Sequence, residues 1–514
     1  MTKLPLHTRG AAALVLGLAF ALSAAAAPQT RCDRILQKFG NQLVGATCVE
    51  SPDLTTSNAT TTPADNSISG LPAGAFTPQT DRTVIAPDAL NRTPITRVVP
   101  GVQINARIAS DPLGQARFLL RLPDDWNGSL VVAGASGTRS EFNGDFAWSD
   151  YVLQKGFAYA SQNKGVLNLF VPSTQAADPL ACRLNPTTPF YVHFYDNDPG
   201  QEFTRWAQFM AQAAQLARRG VDARYGHEPR RTYAVGTSNG GYQVRRAVES
   251  YPELFDGGVD WEGTFVDADL PNPLVHLPPA ILNFPAYSGS AFDANSTAAK
   301  NIRNAGYPPD IVFNGFSMWG RYNASFWEVT QCQWQKRLDP TYDTYGSGTE
   351  TYNYWARRSV SDVGANLDSF ATTGKIRRPL VTVAGTADAL LPIDLHARAY
   401  ARRVAEQLSA RHRDDERDRH DRDDRDDRPA YRLYEVQNGN HIETYKAPPQ
   451  SAVAPANTFP QLEFIEPHAQ AAFDLLVDFV ERGRELPPSQ CIPRGGAIAA
   501  APEQPGHCAS LVVP

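Results

Sequence analysis

A short turn with a serine at its centre is the part of this sequence best suited to chemistry. Residues 231–237 form a mostly apolar run that predicts a β-strand, and residues 242–250 predict a helix. Between them, Gly236, Ser238 and Gly240 form the pattern G-x-S-x-G, a turn that presents a serine hydroxyl above the end of a strand. Both glycine positions come too close to other backbone to carry a Cβ atom. The pattern predicts Ser238 as a nucleophile; the alternative is an ordinary glycine-rich turn.

Negative charge that develops on a substrate carbonyl beside Ser238 needs N–H donors. The N–H of Asn239 lies at the start of the predicted helix, where the helix dipole favours negative charge. A second N–H is expected from the loop after the third strand of such a sheet, here residues 134–137. Ala135 and Ser136 are the candidate donors in this loop, and the sequence does not choose between them.

Asp388 and His441 complete the set of groups that such a serine requires. A serine hydroxyl is a weak nucleophile until an imidazole removes its proton. Each of the two residues follows a predicted strand, at 379–384 and 431–436, and the chain order Ser, Asp, His is typical of α/β sheets that carry this turn. His441 would act as base and then as acid, while Asp388 would hold the imidazole in the correct tautomer.

Other acids and histidines remain as alternatives from the sequence alone. Asp260 lies on the preceding strand and could supply the acid instead. Asp394 is a weaker alternative because it falls inside a predicted helix and should point elsewhere. His441 follows the last strand on a Gly/Asn loop, which favours it over the other candidates. These are His193, His276, His396 and His468.

Alternating strands and helices predict an α/β fold with a mainly parallel central sheet flanked by helices. The helix predicted over 201–219 is expected to stop at Gly220. Residues 263–375 interrupt the alternation and are rich in aromatic side chains, which predicts a large inserted lid domain. Its rings either cover an apolar or aromatic substrate or form the lid's own core. The remaining predicted parts are a core at 95–262 and 376–485, an irregular N-terminal wrap at 27–94, a charged insertion at 411–428 and a C-terminal tail at 486–514.

Residues 1–26 have the pattern of a secretory signal peptide, with an apolar run after two basic residues and small residues before the cleavage point. An N-terminal membrane anchor is the less favoured alternative, because the run is too short to span a bilayer. The predicted location is therefore secreted or periplasmic, where disulfides persist. The six cysteines allow about 15 pairings. Proximity favours Cys32–Cys48 and Cys491–Cys508, which leaves Cys182–Cys332.

The formal net charge of −6 gives no indication of nucleic acid as a partner. No later segment is long and apolar enough to predict stable membrane insertion. No C-x-x-C pair is present, and neither a metal nor a cofactor is expected. The charged run at 411–428 contains only Arg, His, Asp and Glu, which predicts a solvated helix extension or a loop. The expected partner is a small-molecule or oligomeric substrate; the sequence does not determine the oligomeric state.

These residues resemble the α/β-hydrolase superfamily over residues 95–485, and within it the tannase and feruloyl esterase family. The matching pieces are Leu-Pro-x-x-Trp-Asn-Gly at 122–128, the second glycine of the turn at Gly241, and residues 367–375 leading on to 385–388. This resemblance implies an exported serine carboxylic-ester hydrolase that forms an acyl-enzyme on aromatic esters under a large lid.

The chain departs from that family beside two of the predicted catalytic residues. The family usually has a disulfide joining the residues just before the serine and the histidine, which here are Thr237 and Asn440. A hydrogen bond between these two side chains is the expected substitute. The calcium-binding lid loop of tannase-like enzymes has no recognisable match, so calcium stays open.

The turn Ser-Asn-Gly-Gly also resembles that of 3-hydroxybutyrate-oligomer hydrolases, which makes short aliphatic oligoesters the alternative substrates. Two further classes are less favoured: a catalytically silent binding protein on a hydrolase fold, and a serine peptidase.

Overall fold

The computed structural model describes most of the chain after residue 28, with gaps. The predicted signal peptide, residues 62–92 of the predicted wrap and residues 418–429 of the charged run lie outside it. The described ranges are 29–58, 60–61, 93–137, 140–142, 144–166, 169–172, 182–183, 190–193, 203–342, 349–417, 430–441, 443–446 and 459–514.

Ten strands of the described chain form one sheet, in the order β1-β2-β3-β5-β4-β9-β10-β13-β14-β15. Its strands are β1 (Leu43–Ser51), β2 (Gly101–Ile108), β3 (Arg117–Pro123), β4 (Ser129–Gly134), β5 (Ala158–Gln162), β9 (Arg231–Thr237), β10 (Gly257–Trp261), β13 (Leu380–Gly385), β14 (Tyr431–Val436) and β15 (Gln490–Ile492). Two smaller sheets contain β6 (Leu169–Pro172), β7 (Cys182–Arg183) and β8 (Phe190–His193), and β11 (Val312–Phe313) with β12 (Phe316–Ser317).

The first strands pair antiparallel, and every pairing from β5 to β15 is parallel. The strands β4, β9, β10, β13 and β14 are neighbours in this order. Because they pair in parallel, their carboxyl ends lie at one edge of the sheet. This is the predicted α/β-hydrolase fold. It brings the segments after β9, β13 and β14 to the same edge although they are far apart in the chain.

Helices cover both faces of the sheet. One face packs against the helices at Arg31–Phe39, Thr204–Tyr225, Asn239–Ser250 and Ala397–Arg417. The other face packs against the helices at Asp150–Leu153 and Glu466–Arg482. The parallel strands are buried on both faces, so they read as continuous apolar runs. No helix of the described residues has the length and apolar character that a membrane span needs. The helices are α1 (Arg31–Phe39), α2 (Asp150–Leu153), α3 (Thr204–Tyr225), α4 (Asn239–Ser250), α5 (Pro273–Gly289), α6 (Thr297–Asn304), α7 (Met318–Ser325), α8 (Trp327–Leu338), α9 (Tyr354–Arg358), α10 (Val363–Asp368), α11 (Ala397–Arg417) and α12 (Glu466–Arg482).

Helices α5 to α10 and the β11–β12 hairpin lie within the segment predicted as a lid. Its aromatic side chains pack mostly on one another: the Trp319 ring lies 5.0 Å from that of Tyr287, and the Trp327 ring 6.0 Å from that of Phe284. Both tryptophans are buried. These rings therefore pack in an apolar core of this segment, which residues 387–391 after β13 also join. Of the two expected alternatives, this agrees better with rings that serve packing than with rings that cover a substrate.

Three local expectations differ from the structure. Helix α3 runs through Gly220 and ends at Gly226, whose φ of +85° suits glycine. Gly220 is there for packing, because a Cβ atom at this position would collide with Leu120. The region predicted as an irregular wrap contains α1 and the edge strand β1. The tail contributes β15 to the sheet.

All three favoured disulfides are confirmed. Cys32–Cys48 joins α1 to β1, and Cys491–Cys508 ties the last residues to β15. Cys182–Cys332 links β7, which precedes α3, to α8 of the segment predicted as a lid. The third pairing spans 150 residues and could be inferred from sequence only by elimination.

The glycines at the nucleophile turn allow three backbone segments to meet. A Cβ atom on Gly240 would lie 2.5 Å from the Gly134 carbonyl oxygen, and one on Gly236 would lie 2.5 Å from the Gly240 carbonyl carbon. In these cases the neighbour is backbone, which cannot rotate away as a side chain can. The ends of β4 and β9 and the start of α4 can approach this closely only with glycine at these positions.

We expect Gly240→Ala to destabilise the protein by roughly 1–3 kcal/mol or more, because the added methyl group overpacks a site walled by backbone. Gly137→Ala is the matched control, since a Cβ atom there meets nothing within 4 Å. Urea unfolding of both variants measures the difference. Equal stability of the two variants would contradict this account of the turn.

Candidate active site

Ser238 occupies the sharp turn between β9 and α4. Its backbone has φ +59° and ψ −120°, a region that residues other than glycine rarely adopt. Two backbone hydrogen bonds hold it there: the Ser238 N–H donates to the Trp261 carbonyl at 2.9 Å, and the Tyr242 N–H donates to the Ser238 carbonyl at 3.0 Å. The residue is 9% exposed, which leaves a small opening to solvent. Strain of this kind is typical of a residue held for function.

Asp388 and His441 are joined by a hydrogen bond at the same edge of the sheet. The distance from His441 Nδ1 to Asp388 Oδ2 is 2.7 Å. The other oxygen, Asp388 Oδ1, accepts the N–H groups of Leu390 and Leu391, each at 2.7 Å. With its proton on Nδ1, a neutral imidazole has an acceptor at Nε2. The structure thus pairs the predicted acid, two strands away from Ser238, with the predicted base, three strands away.

The alternative acids have other partners. Asp260 is fully buried and its Oδ2 lies 2.6 Å from Nε of Arg245. Asp394 is half-exposed and pairs with Arg398 at 3.0 Å. Neither carboxylate is among the groups bonded to His441 in the described part of the chain.

Glu262 is a third group at His441, and sequence reasoning missed it. Its Oε2 lies 3.3 Å from His441 Nδ1, and the residue is buried. Burial, and after it the charge of Asp388, raise the pKa of Glu262 well above its ordinary value. Glu262 directly follows β10, and this position at a carboxyl strand end was the available signal. Asp260, the alternative acid expected from the sequence, lies inside that strand rather than after it.

The grouping of Glu262, Asp388 and His441 also meets a distance condition for metal binding. One ligand atom from each lies within 4.8 Å of the others, the one such cluster within the described residues. Both oxygens of Asp388 are engaged in hydrogen bonds, as is His441 Nδ1. A metal ion would have to break these bonds, so the arrangement fits a carboxylate–imidazole pair better.

Two of the competing histidines form a buried pair behind the site. His276 Nε2 and His396 Nε2 lie 3.1 Å apart, and both residues are 1% exposed. The Phe265 N–H donates to His396 Nδ1 at 3.0 Å, so a neutral His396 carries its proton on Nε2 and donates it to His276. His276 Nδ1 then donates to the Tyr307 hydroxyl at 3.1 Å. His276 lies on α5 of the segment predicted as a lid and His396 directly precedes α11, so their hydrogen bond joins the two regions.

The other two histidines differ in what the structure describes. His468 is half-buried on α12, while only the backbone of His193 is described, in β8.

The lid is hydrogen-bonded to both loops that carry the acid and the base. The Trp327 indole N–H donates to the Ala389 carbonyl at 2.7 Å, next to Asp388. The Tyr322 hydroxyl donates to Asn440 Oδ1 at 2.7 Å, next to His441. Lid side chains and the residues after β13 share one apolar cluster. A docked lid therefore helps to hold the two loops in place.

The expected hydrogen bond between Thr237 and Asn440 is not formed. The side-chain oxygen Oδ1 of Asn440 accepts from the Tyr322 hydroxyl, and the Thr237 side chain makes no hydrogen bond within the described residues. The contact that ties the loop before His441 comes from the lid instead. Sequence spacing could not reveal this, because Tyr322 lies 118 residues away.

The candidate oxyanion residues lie around the same turn. Asn239 is the first residue of α4 and is buried, with its Oδ1 accepting from the Thr264 hydroxyl at 3.2 Å. Ala135 and Ser136 directly follow β4, whose last residue pairs with Gly236. Their positions leave the choice of donor between them open.

Lys164 supports the loop after β4, and sequence reasoning missed this residue too. Its Nζ donates to the Ser136 carbonyl and, at 2.7 Å, to the Gly137 carbonyl. The side chain is buried and its backbone φ is +64°. Because the carbonyl oxygens of Ser136 and Gly137 point towards the Lys164 ammonium group, the peptide N–H groups of the same units point away from it.

The buried histidine pair should make stability depend on pH. Burial lowers the pKa of His276 to about 3, and burial and then His276 lower the pKa of His396. An unfolded chain takes up these protons below about pH 6.5, whereas the folded protein does not. The free energy of unfolding should therefore fall as pH decreases from about 7 towards 4, by up to about 1.4 kcal/mol per pH unit for each histidine.

Urea unfolding at several pH values, with wild type and His276→Gln, measures this dependence. The variant should be less stable near pH 7.5 but lose less stability on acidification. His227→Gln, at an exposed position, is the control and should keep the wild-type slope. The same slope in wild type and His276→Gln would refute this role of the pair.

Comparison with known proteins finds a family match for part of the chain. Residues 350–508 match the family model of 3HB-oligomer hydrolases. The D-(-)-3-hydroxybutyrate oligomer hydrolase of Burkholderia thailandensis is 30% identical over 146 residues, 27% of this chain and 17% of that protein. The protein of the same name from Burkholderia pseudomallei is 28% identical over 154 residues, 29% of this chain and 18% of that protein. The matches thus span less than a fifth of these relatives' length.

Two solved structures are similar over most of the chain at low identity. Feruloyl esterase B from Aspergillus oryzae has 12% identity and a TM-score of 0.47, covering 86% of this chain and 87% of that chain. Tannin acyl hydrolase from Aspergillus niger has 13% identity and a TM-score of 0.41, covering 76% of this chain and 80% of that chain. Asp388 and His441 both fall within residues 350–508, which match the family model.

Proposed function

We propose that this protein is a serine carboxylic-ester hydrolase in which Ser238, Asp388 and His441 form the catalytic triad. The observation that supports this most strongly is the 2.7 Å hydrogen bond between His441 and Asp388 at the sheet edge that also carries Ser238. The φ of +59° at Ser238 agrees with a nucleophile held in a strained turn. The arrangement favours an enzyme over a silent binding protein, because all three group types are present and the acid–base pair is formed.

In the proposed reaction, His441 Nε2 accepts the proton of the Ser238 hydroxyl as its Oγ attacks the ester carbonyl. Asp388 stabilises the imidazolium that forms. The negative charge on the carbonyl oxygen is stabilised by the N–H of Asn239 and by that of Ala135 or Ser136. His441 then gives its proton to the leaving alcohol. In the second half, His441 accepts a proton from water as the water attacks the acyl carbonyl, the bond to Ser238 Oγ breaks, and His441 returns the proton to Oγ as the acid leaves.

Two substrate classes are proposed. Short aliphatic oligoesters of the 3-hydroxybutyrate type are supported by the family match over residues 350–508, which includes the acid and the base. Aromatic esters of the tannase and feruloyl type are supported by the motifs at 122–128 and 367–375. The burial of lid rings such as Trp319 and Trp327 in the lid's own core weakens the argument for the aromatic class.

Export is proposed together with this activity. The six cysteines pair into three disulfides, which form and persist in oxidising compartments. The signal-like residues 1–26 would direct the chain there.

Ser238→Ala should lower kcat by on the order of 10⁴ to 10⁶, because no other group supplies the nucleophile. Steady-state hydrolysis of a p-nitrophenyl ester measures the loss, and mass spectrometry of the wild type should detect an acyl adduct on Ser238. Ser369→Ala, at an exposed lid position, is the matched control and should keep wild-type rates. Retention of more than about a hundredth of the activity in Ser238→Ala would disprove the assignment.

A substrate panel separates the two ester classes. We expect higher kcat/KM for 3-hydroxybutyrate dimers and trimers than for methyl ferulate or alkyl gallates. The reverse order would assign the enzyme to the aromatic class. Matched anilides test the peptidase alternative, and hydrolysis of anilides at rates equal to esters would favour it.

A further inference from the structure

We propose that Glu262 is a positioning residue: a second carboxyl group that orients His441 and takes over as acceptor of its Nδ1–H when Asp388 carries no charge. This inference rests on the proposed triad and adds a fourth residue to it. It concerns how the imidazole is held, since Glu262 acts through His441 and is not assigned any contact with substrate.

The geometry places two carboxyl groups on one ring nitrogen. His441 Nδ1 lies 2.7 Å from Asp388 Oδ2 and 3.3 Å from Glu262 Oε2. Glu262 Oε2 is buried and makes no hydrogen bond within the described residues. A buried polar atom without a partner is costly. The donors that face this carboxyl group are the Trp261 indole N–H, whose interaction lowers the pKa of Glu262, and the Nδ1–H that Asp388 now holds.

The backbone holds Glu262 at this position against a conformational cost. Its φ is +50°, a region that favours glycine. The Glu262 N–H donates to the Val383 carbonyl at 2.9 Å, and its Oε1 accepts the Gly385 N–H at 3.0 Å. Both contacts come from β13, the strand that leads to Asp388. The acid strand therefore fixes both carboxyl groups relative to His441.

The charge state of Glu262 depends on Asp388. Burial and then the Asp388 charge raise its pKa, and Glu443 adds a smaller contribution in the same direction. The titratable groups that face Glu262 are therefore Asp388, His441 and Glu443. The raised pKa of Glu262 favours its uncharged acid form beside Asp388. If Asp388 is neutralised, one cause of the raised pKa disappears and Glu262 ionises more readily.

An ionised Glu262 can then do what Asp388 does. Its Oε2 needs to approach Nδ1 by only a few tenths of an ångström to reach ordinary hydrogen-bond length. The imidazole keeps its proton on Nδ1 and its acceptor at Nε2. No proton or electron beyond those of the ester reaction is required.

A double-mutant cycle on Asp388 and Glu262 tests the proposal. Asp388→Asn alone should lower kcat/KM by about 10²-fold, less than the roughly 10⁴-fold expected where the tautomer is lost completely. Glu262→Gln alone should cost a few-fold. The double variant should lose about 10⁴-fold or more, well beyond the product of the two single losses. A loss of 10⁴-fold in Asp388→Asn that Glu262→Gln does not deepen would overturn the proposal.

The matched control is Glu262→Asp in the Asp388→Asn background. It keeps a carboxyl group but is one methylene shorter, so it should behave like Glu262→Gln. The rate ratio of Asp388→Asn to the double variant should rise with pH, because Glu262 accepts most strongly when charged. A ratio near one between pH 5.5 and 9 would count against the role. Circular dichroism and urea unfolding verify that each variant is folded.

If Asp388→Asn does not fold, the pH profile of Glu262→Gln decides instead. In Glu262→Gln the amide oxygen stays with the Gly385 N–H, so the NH2 donor replaces the oxygen that faces Nδ1. A donor at this position disfavours imidazolium and should lower the midpoint of the acid limb of kcat/KM by about half a pH unit. An unchanged midpoint would show that Glu262 does not act on the His441 imidazole. Failure of the underlying triad would be visible separately, as activity in Ser238→Ala. An inactive Ser238→Ala with a strictly multiplicative cycle would refute only the role of Glu262.

Discussion

The contact between three backbone segments at Gly134, Gly236 and Gly240 is the constraint on which the site depends. Strand β9 must end, turn and enter α4 within two residues, and the start of α4 must pass next to the end of β4. Glycine permits that approach, and the remaining strain is concentrated at Ser238. Everything else in the site is placed relative to this turn. The loop after β4 lies on one side of it, and β10, β13 and β14 follow on the other.

The lid and the catalytic edge form a connected structure. Trp327 bonds the loop after β13, and Tyr322 bonds the residue before His441. The lid also contributes His276, which reaches His396 at the start of α11. A lid that separated from the core would release contacts on the acid loop, the base loop and the following helix together.

Burial controls the charge of the groups behind the proposed triad. Glu262 and the pair His276 and His396 are all buried, and in each case desolvation shifts the pKa towards the neutral form. These groups surround Asp388 and His441 with side chains that carry hydrogen-bonding capacity but little charge. The charge of Asp388 is thereby directed at His441, and the two backbone N–H groups on its other oxygen keep it in place.

Much of this protein was determined by the sequence itself. Local patterns predicted the strands before Ser238, Asp388 and His441, because buried parallel strands are continuous apolar runs bounded by turn residues. The G-x-S-x-G turn was readable because its glycines are required by a local steric condition. The three disulfides could be inferred since two of the pairs are close in the chain.

Only the tertiary structure decided which distant side chains meet at the site. Glu262, Lys164, Tyr322 and the pair His276 and His396 are single residues in unremarkable surroundings. Several of their partners are distant in the chain: His276 and His396 are 120 residues apart, and Tyr322 and Asn440 are 118 residues apart. No local periodicity encodes such a contact, because it depends on how the lid is oriented over the sheet. The error at Gly220 has the same origin: the collision that excludes a side chain there is with Leu120, on a strand 100 residues earlier in the chain.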